Sequence, residues 1–260
     1  MKANLFDVMG KVAIVTGSGR GMGKAIAASL AAAGARVIVC GRTARIVEES
    51  TAGIRAAGGE ALAVTFDAVD RAQVQDLVDR AVAHYGRLDV MVVNHGIGRA
   101  ALAEKIEPEA WDEMIAINLT SAFHCAQIAG QRMIEQGEGG SIVLVSSTGS
   151  YSAFRGLTSY GAAKGGVDQL CRQLASEWGR YGIRVNAVNP GFMTNHMRGS
   201  DERYDDAELT AAVEARTPVG RRGAPEEIAG PVIFLASDAA SYVTGHIMPV
   251  DGGYGIQGTP

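Results

Sequence analysis

Cysteine is scarce in this chain, and Cys40, Cys125 and Cys171 are odd in number, far apart and without CxxC spacing. That excludes a readable disulfide framework or zinc site and points to a reducing cytoplasm. Histidine is nearly as sparse. His84, His124, His196 and His246 show no metal-ligand spacing such as HExxH, so no metal is expected. Nowhere do about 18 apolar residues run together, and Asp7 interrupts the segment where a signal peptide needs an unbroken apolar stretch, so neither a membrane span nor export is expected. An excess of positive charge is also missing. With a formal net charge of −4, the chain lacks the clustered Lys and Arg that favour nucleic acid or an anionic membrane. Small molecules are the expected partners.

What is present suffices for one large core. Of the 260 residues 47% are hydrophobic and 20% charged, which fits a single domain over residues 1–260 without repeat, low-complexity segment or linker. Short β-branched runs alternate with longer Ala-rich, helix-compatible stretches, the pattern of βαβ units and a parallel sheet. Strands are expected near 11–16, 36–40, 61–66, 89–93, 140–146, 183–189 and 245–250. Helices are expected near 21–34, 43–57, 71–86, 109–136, 158–181 and 225–237. Runs such as VAIVT, VIVC and VMVV do not alternate with polar residues, so helices should cover both faces of a doubly wound, three-layer α/β fold. The stretch 192–216 departs from the alternation: the acidic run GSDERYDDAEL follows an apolar FMTNHM and reads as an insertion over the site.

The strand KVAIVT runs into Gly17, Ser18, Gly19, Arg20, Gly21, Met22 and Gly23, and then into the helical KAIAASLAAAG. Glycines here open backbone torsions closed to other residues and let a pyrophosphate approach the amides at a helix amino terminus. NAD binders of this architecture usually carry an acidic residue at the end of the second strand, facing the ribose 2′-hydroxyl. This chain reads VIVCGRT there. Gly41 takes the acidic slot and Arg42 follows it, so a guanidinium able to grip a 2′-phosphate replaces a carboxylate that would repel one. Arg20 can close on the same phosphate from the glycine loop, and Arg45 is a weaker third candidate. NADP(H) is therefore favoured over NAD(H).

Tyr160 and Lys164 stand four residues apart in SYGAAKGGVDQL, so both leave one face of a helix. A free tyrosine titrates near pH ~10, and a lysine ammonium within about 4–6 Å favours its phenolate. Such a pair can move a proton to or from a substrate oxygen. The spacing alone is common in helices. Thirteen residues earlier, Ser146 and Ser147 end the strand SIVLVSS, where the carboxyl ends of parallel strands form the ligand crevice and a hydroxyl can hold a substrate oxygen.

Taken in order, these features resemble the short-chain dehydrogenase/reductase family across essentially the whole chain. They are TGxxxGxG from Thr16 to Gly23, VVNHG, AINLTSAFH, the serine and YxxxK pair, Asn189-Pro190-Gly191, and the closing GRRGAPEEIAGPVIFLASDAASYVTGHIMPVDGG. The resemblance implies a Rossmann-type seven-stranded parallel sheet and hydride transfer between a nicotinamide cofactor, bound first, and a ketone or secondary alcohol. A homotetramer, or a homodimer, is implied too. It selects Asn118, Ser147, Tyr160 and Lys164 as the catalytic set, with Tyr160 and Lys164 also at the cofactor, Lys164 hydrogen-bonding the nicotinamide ribose, and with Asn118 holding a water that links Lys164 to solvent. It adds Asp67 and Ala68 at the adenine, Asn94 and Gly96 beside the cofactor, and Pro190, Gly191 and the Met193 backbone at the nicotinamide.

Some positions depart from the family pattern. Where Asn-Asn-Ala-Gly is common, this chain has Val93, Asn94, His95 and Gly96. His95 is expected to pack and find a hydrogen bond, the alternative being contact with ribose or substrate. The threonine common four residues past Gly191 is replaced by Asn195, with Thr194 one earlier, and either side chain can serve. Ser150, Tyr151, Phe154, Arg155, Phe192, Met197 and Tyr204 are expected to face a substrate with a hydrocarbon or aromatic portion. Two rival readings are a nucleotide sensor without chemistry, which the complete catalytic set opposes, and a halohydrin dehalogenase, which Gly17 to Gly23 and Lys164 oppose. A β-keto thioester, a sugar acid or polyol, a steroid-like ketone and an aromatic ketone all remain open.

Overall fold

The computed structural model describes residues 4–194 and 206–256. Seven strands form one parallel sheet: β1 Val12–Thr16, β2 Arg36–Gly41, β3 Glu60–Thr65, β4 Val90–Val93, β5 Gly140–Val145, β6 Ile183–Pro190 and β7 Ile247–Val250. Their order is β3-β2-β1-β4-β5-β6-β7. All paired strands run the same way, and β1 is held between β2 and β4, with Ile14 opposite both Ile38 and Met91. The chain reverses its direction of winding at the β1/β4 boundary, the place where open parallel sheets leave a crevice beyond their carboxyl ends.

The unalternated apolar strands have the consequence expected of them. In β1, Val12 and Ile14 point into one core with Leu77 and Val78 of α3 (Arg71–Tyr85), Cys125 and Ile128 of α5 (Ser121–Gln136) and Val167 of α6 (Thr158–Trp178). Ala13 and Val15 point into a second core with Ile26 and Leu30 of α1 (Gly21–Ala32), Val47 of α2 (Ala44–Ala56) and Val232 of α8 (Ala229–Ala236). Every residue of β1 and β4 is buried, so neither strand has a solvent face. The molecule is a three-layer Rossmann-type α/β sandwich.

Three helical expectations need correction. The stretch 109–136 is not one helix: α4 (Pro108–Ile115) passes into a wide π turn at Ala116–Thr120 before α5 begins. The stretch 225–237 begins as a 3-10 turn, Pro225–Ile228, and only then becomes α8. Within 192–216 an unexpected helix, α7 (Ala207–Arg216), is capped by Asp206, whose carboxylate accepts from the amides of Glu208 and Leu209. Among the described residues no helix is long and apolar enough to cross a membrane.

Candidate active site

A cleft of about 1150 Å³ opens beyond the strand carboxyl ends. Its wall brings together Gly17, Arg20, Gly21, Met22, Gly23 and Arg42 from the first two βα junctions. Asp67, Ala68, Asn94 and Gly96 follow β3 and β4, and Ser147, Tyr160, Lys164, Pro190, Gly191 and Met193 come from the second half of the chain. Two residues of the expected set are not on the wall. Ser18 is turned into the sheet, its hydroxyl donating to the Val15 carbonyl (2.6 Å) and accepting from the Cys40 amide (2.9 Å), so it shapes the loop without facing the cleft. Asn118 is buried behind the loop that follows β4.

The glycine loop is built for close backbone approach. Gly17 has φ +66°, in the left-handed region that side chains disfavour. A Cβ on Gly23 would lie 2.4 Å from the Gly17 carbonyl oxygen and 2.5 Å from Asn94 Nδ2. Asn94 holds this arrangement, donating from Nδ2 to the Thr16 carbonyl (2.9 Å) and from its amide to Thr16 Oγ1 (2.9 Å). The amino end of α1 stays open: Arg20, at its cap, makes no side-chain cap hydrogen bond, and no acidic residue lies in the first turn. Unpaired amides and an uncapped helix dipole fit a phosphate group. Arg20 and Arg42 are exposed on the cleft wall, whereas Arg45 pairs along α2 with Glu49. Thr43 and Ile46, which sequence reasoning missed, share the wall beside Arg42. Their signal was their place at the cap and in the first turn of the helix that Arg42 precedes.

Tyr160 and Lys164 rise from one face of α6 and are both buried, at 6% and 4% exposure. The Lys164 ammonium stands 5.8 Å from the Tyr160 ring centroid and donates to the Val145 carbonyl at 2.8 Å. Burial lowers its pKa to about 8, opposed by the charge of Asp168. Ser147 faces the same space. A Cβ on Gly149 would lie 3.3 Å from Tyr160 Cε1 and 3.4 Å from Ser147 Oγ, so the glycine lets ring and hydroxyl converge. Ser146 is engaged elsewhere, donating to the Lys164 carbonyl at 3.1 Å. Asn118 sits in the π turn, where Oδ1 accepts from the Ile97 amide and Nδ2 donates to the Ile97 carbonyl, both at 3.0 Å. A Cβ on Gly96 would lie 2.7 Å from Asn118 Oδ1 and 3.8 Å from Lys164 Nζ, which explains the glycine between them.

His95 hydrogen-bonds across two elements and, part-buried, also lines the cleft. Ser121 donates its one hydroxyl proton to the Ile117 carbonyl (2.6 Å) and so accepts from His95 Nε2 (2.6 Å). Nδ1 then accepts from Thr16 Oγ1 at 2.8 Å, where it competes with the Val92 carbonyl, 3.3 Å away, for the one Thr16 hydroxyl proton. Burial, joined by the Lys164 and Arg42 charges, lowers the imidazole pKa to about 3.

The other end of the cleft is aromatic. Phe154 meets Phe192 edge-on at 5.7 Å, and Tyr254 packs behind both at 5.9 and 5.1 Å, with the Arg216 guanidinium over its outer ring face at 4.7 Å. Leu157, Arg155 and, from α7, Leu209 share the wall. Ser150 and Tyr151, expected to face the cleft, are absent from it. Tyr151 donates to Asp251 Oδ2 at 3.0 Å, and Ser150 is bonded to Asn189 at 2.8 Å. Asn195, Met197 and Tyr204 lie outside the described residues. Among the described residues no His, Cys, Asp or Glu cluster has metal-binding geometry.

A family model described as enoyl-(acyl carrier protein) reductase matches residues 17–255. The cis-4-hydroxycyclohexanecarboxylate dehydrogenase of Sinomonas cyclohexanicum is 41% identical over 94% of this chain and 96% of its own length. The gluconate 5-dehydrogenase of Burkholderia cenocepacia J2315, solved in complex with NADP and tartrate, superposes with a TM-score of 0.93 at 35% identity, covering 98% of both chains. A short-chain type dehydrogenase/reductase from Mycobacterium marinum superposes with a TM-score of 0.90 at 33% identity, covering 96% of this chain and 97% of that one.

Proposed function

The chain belongs to the short-chain dehydrogenase/reductase family of oxidoreductases, and on that premise we propose that it interconverts a ketone and a secondary alcohol with NADP(H), Tyr160 moving the proton. The observation that carries this reading is the convergence of Ser147, Tyr160 and Lys164 at one point of the cleft that the glycine loop also lines. When bound, the nicotinamide supplies or accepts the hydride. Tyr160 gives its hydroxyl proton to the carbonyl oxygen in reduction and takes it from the alcohol in oxidation. Lys164 places a positive charge beside the phenol, which favours the ionised form. Ser147 donates to the substrate oxygen as charge builds there. Asn118 ties the π turn to the Ile97 backbone and keeps Gly96 against Lys164.

Arg20 and Arg42 are assigned to the 2′-phosphate, and the NADP held by the Burkholderia neighbour supports the assignment. Among the described residues the wall beyond Tyr160 presents Phe154, Leu157, Phe192 and Leu209, which suits a substrate with an alicyclic, aromatic or hydrocarbon body. Arg155 and Glu208 on the same wall can also meet a polar group of the substrate. A homotetramer is proposed on family grounds, to be checked by light scattering. The decisive experiment follows NADPH absorbance against alicyclic and aromatic ketones, keto acids and sugar acids, with Tyr160→Phe as control. Turnover of apolar-bodied ketones that Tyr160→Phe abolishes is expected. NADPH binding without turnover of any of these carbonyls would overturn the catalytic reading.

A further inference from the structure

Asp168 takes no part in the chemistry above, yet it is a carboxylate only 6% exposed, one turn past Lys164 and two past Tyr160 on α6. Its Oδ2 accepts from Asn189 Nδ2 at 3.1 Å. The same amide nitrogen donates to Ser150 Oγ at 2.8 Å, and Ser150 in turn donates to the Ser147 carbonyl at 2.8 Å. The directions are forced from one end. A carbonyl only accepts, so the single Ser150 proton points at Ser147, and the amide must supply the proton between Asn189 and Ser150. Three hydrogen bonds thus run from a buried carboxylate to the backbone of the serine assigned to the substrate oxygen.

The carboxylate is under-supported by hydrogen bonds. Asp168 Oδ1 and Asn189 Oδ1 are buried without a hydrogen-bond partner among the described residues. A buried carboxylate needs a compensating charge. The groups that face Asp168 are Lys164 and Cys171 on its own helix and Tyr151 from the turn after β5, with Asp251 beyond the Tyr151 hydroxyl. Burial keeps Cys171 and Tyr151 neutral, and Asp251 is acidic, so Lys164 is the cation of this group.

We propose that Asp168 is a positioning residue for the reaction: through Asn189 and Ser150 it fixes the backbone of Ser147, and as counter-charge it keeps the Lys164 ammonium beside Tyr160. The inference rests on the proposed roles of Ser147, Tyr160 and Lys164, but one of its tests reads Lys164 without turnover. Competitive acetylation of the whole protein with acetic anhydride across about pH 6 to 11, quantified at Lys164 by mass spectrometry, gives the pH at which that amine becomes reactive. Asp168→Asn keeps an acceptor for Asn189 and removes the charge. The Lys164 midpoint is expected to fall by about one unit, and kcat by about tenfold to a hundredfold with KM for NADPH unchanged. A midpoint that does not move in folded Asp168→Asn overturns the counter-charge role. Ser150→Ala cuts the chain one link from Ser147 and leaves the charge alone, and it carries the test if Asp168→Asn does not fold. It should lower kcat severalfold at an unchanged Lys164 midpoint and unchanged KM for NADPH. A kcat equal to that of the unmodified protein overturns the positioning role. Should the unmodified protein turn over no carbonyl, the functional reading fails, while the acetylation midpoint still decides whether Asp168 and Lys164 are coupled.

Discussion

The two ends of the cleft are held by different forces. At the glycine loop, Thr16, Ser18, Asn94 and His95 engage one another and neighbouring backbone groups in directed hydrogen bonds, most between 2.6 and 3.0 Å. At the far end Phe154, Phe192 and Tyr254 meet through ring contacts, with centroids 5.1 to 5.9 Å apart. Hydrogen bonds fix positions and lose their energy over small displacements, whereas ring packing accepts a change of shape if volume is kept. One end can therefore be held constant for a fixed cofactor while the other is reshaped for different substrates.

The contrast can be broken by substitution. The largest effect should come from between the ends: Tyr160→Phe is expected to lower kcat on the order of 10²- to 10⁴-fold, with NADPH affinity, read by fluorescence titration, unchanged. Gly23→Ala is next, since its Cβ would meet the Gly17 carbonyl at 2.4 Å. It should destabilise the fold by about 1–3 kcal/mol and raise KM for NADPH, in thermal melts and steady-state kinetics. Phe154→Leu at the packed end should shift substrate KM without moving KM for NADPH. Equal sensitivity of the two ends would remove the distinction. Arg42→Ala sharpens it within the cofactor end. Loss of a charge-assisted bond worth about 1.5–3 kcal/mol should reduce the kcat/KM ratio of NADPH over NADH roughly tenfold to a hundredfold.

The smallest effect at neutral pH belongs to His95. Its folded pKa of about 3 lies below the ordinary 6.5, so between those values the unfolded chain binds a proton that the native protein does not. Stability should therefore fall as pH drops through that window. The stability advantage of the unmodified protein over His95→Ala should narrow in urea titrations taken from pH 7 to pH 4, and a constant gap would contradict a neutral, part-buried imidazole.

Most of the sheet was legible because β-branched runs without polar alternation have few folds open to them, and the glycine loop and YxxxK pair stand at fixed places in the βα order. The π turn was not legible: one extra residue in AINLT leaves the apolar pattern of 109–136 nearly unchanged. Helix α7 was hidden by the acidic composition of GSDERYDDAEL, although Asp206 is an N-cap residue that could have revealed it. Ser18, Ser150 and Tyr151 sit where sequence position suggests a cleft residue, but each finds a hydrogen-bond partner on the inner or outer side of its turn. Side-chain direction in a turn depends on backbone torsions that spacing does not encode.

The wide turn at Ala116–Thr120 lets the chain carry one residue more than a regular helix would hold at that point. In a regular helix of 3.6 residues per turn, one added residue rotates everything beyond it by about 100°. Here the turn itself takes up the extra residue, so α4 and α5 keep their faces while Asn118 is set against the Ile97 backbone and Ser121 against His95. The segment is thus a phase buffer, and a one-residue deletion that closed it to an ordinary turn would be felt at Asn118 before it was felt by the helices on either side.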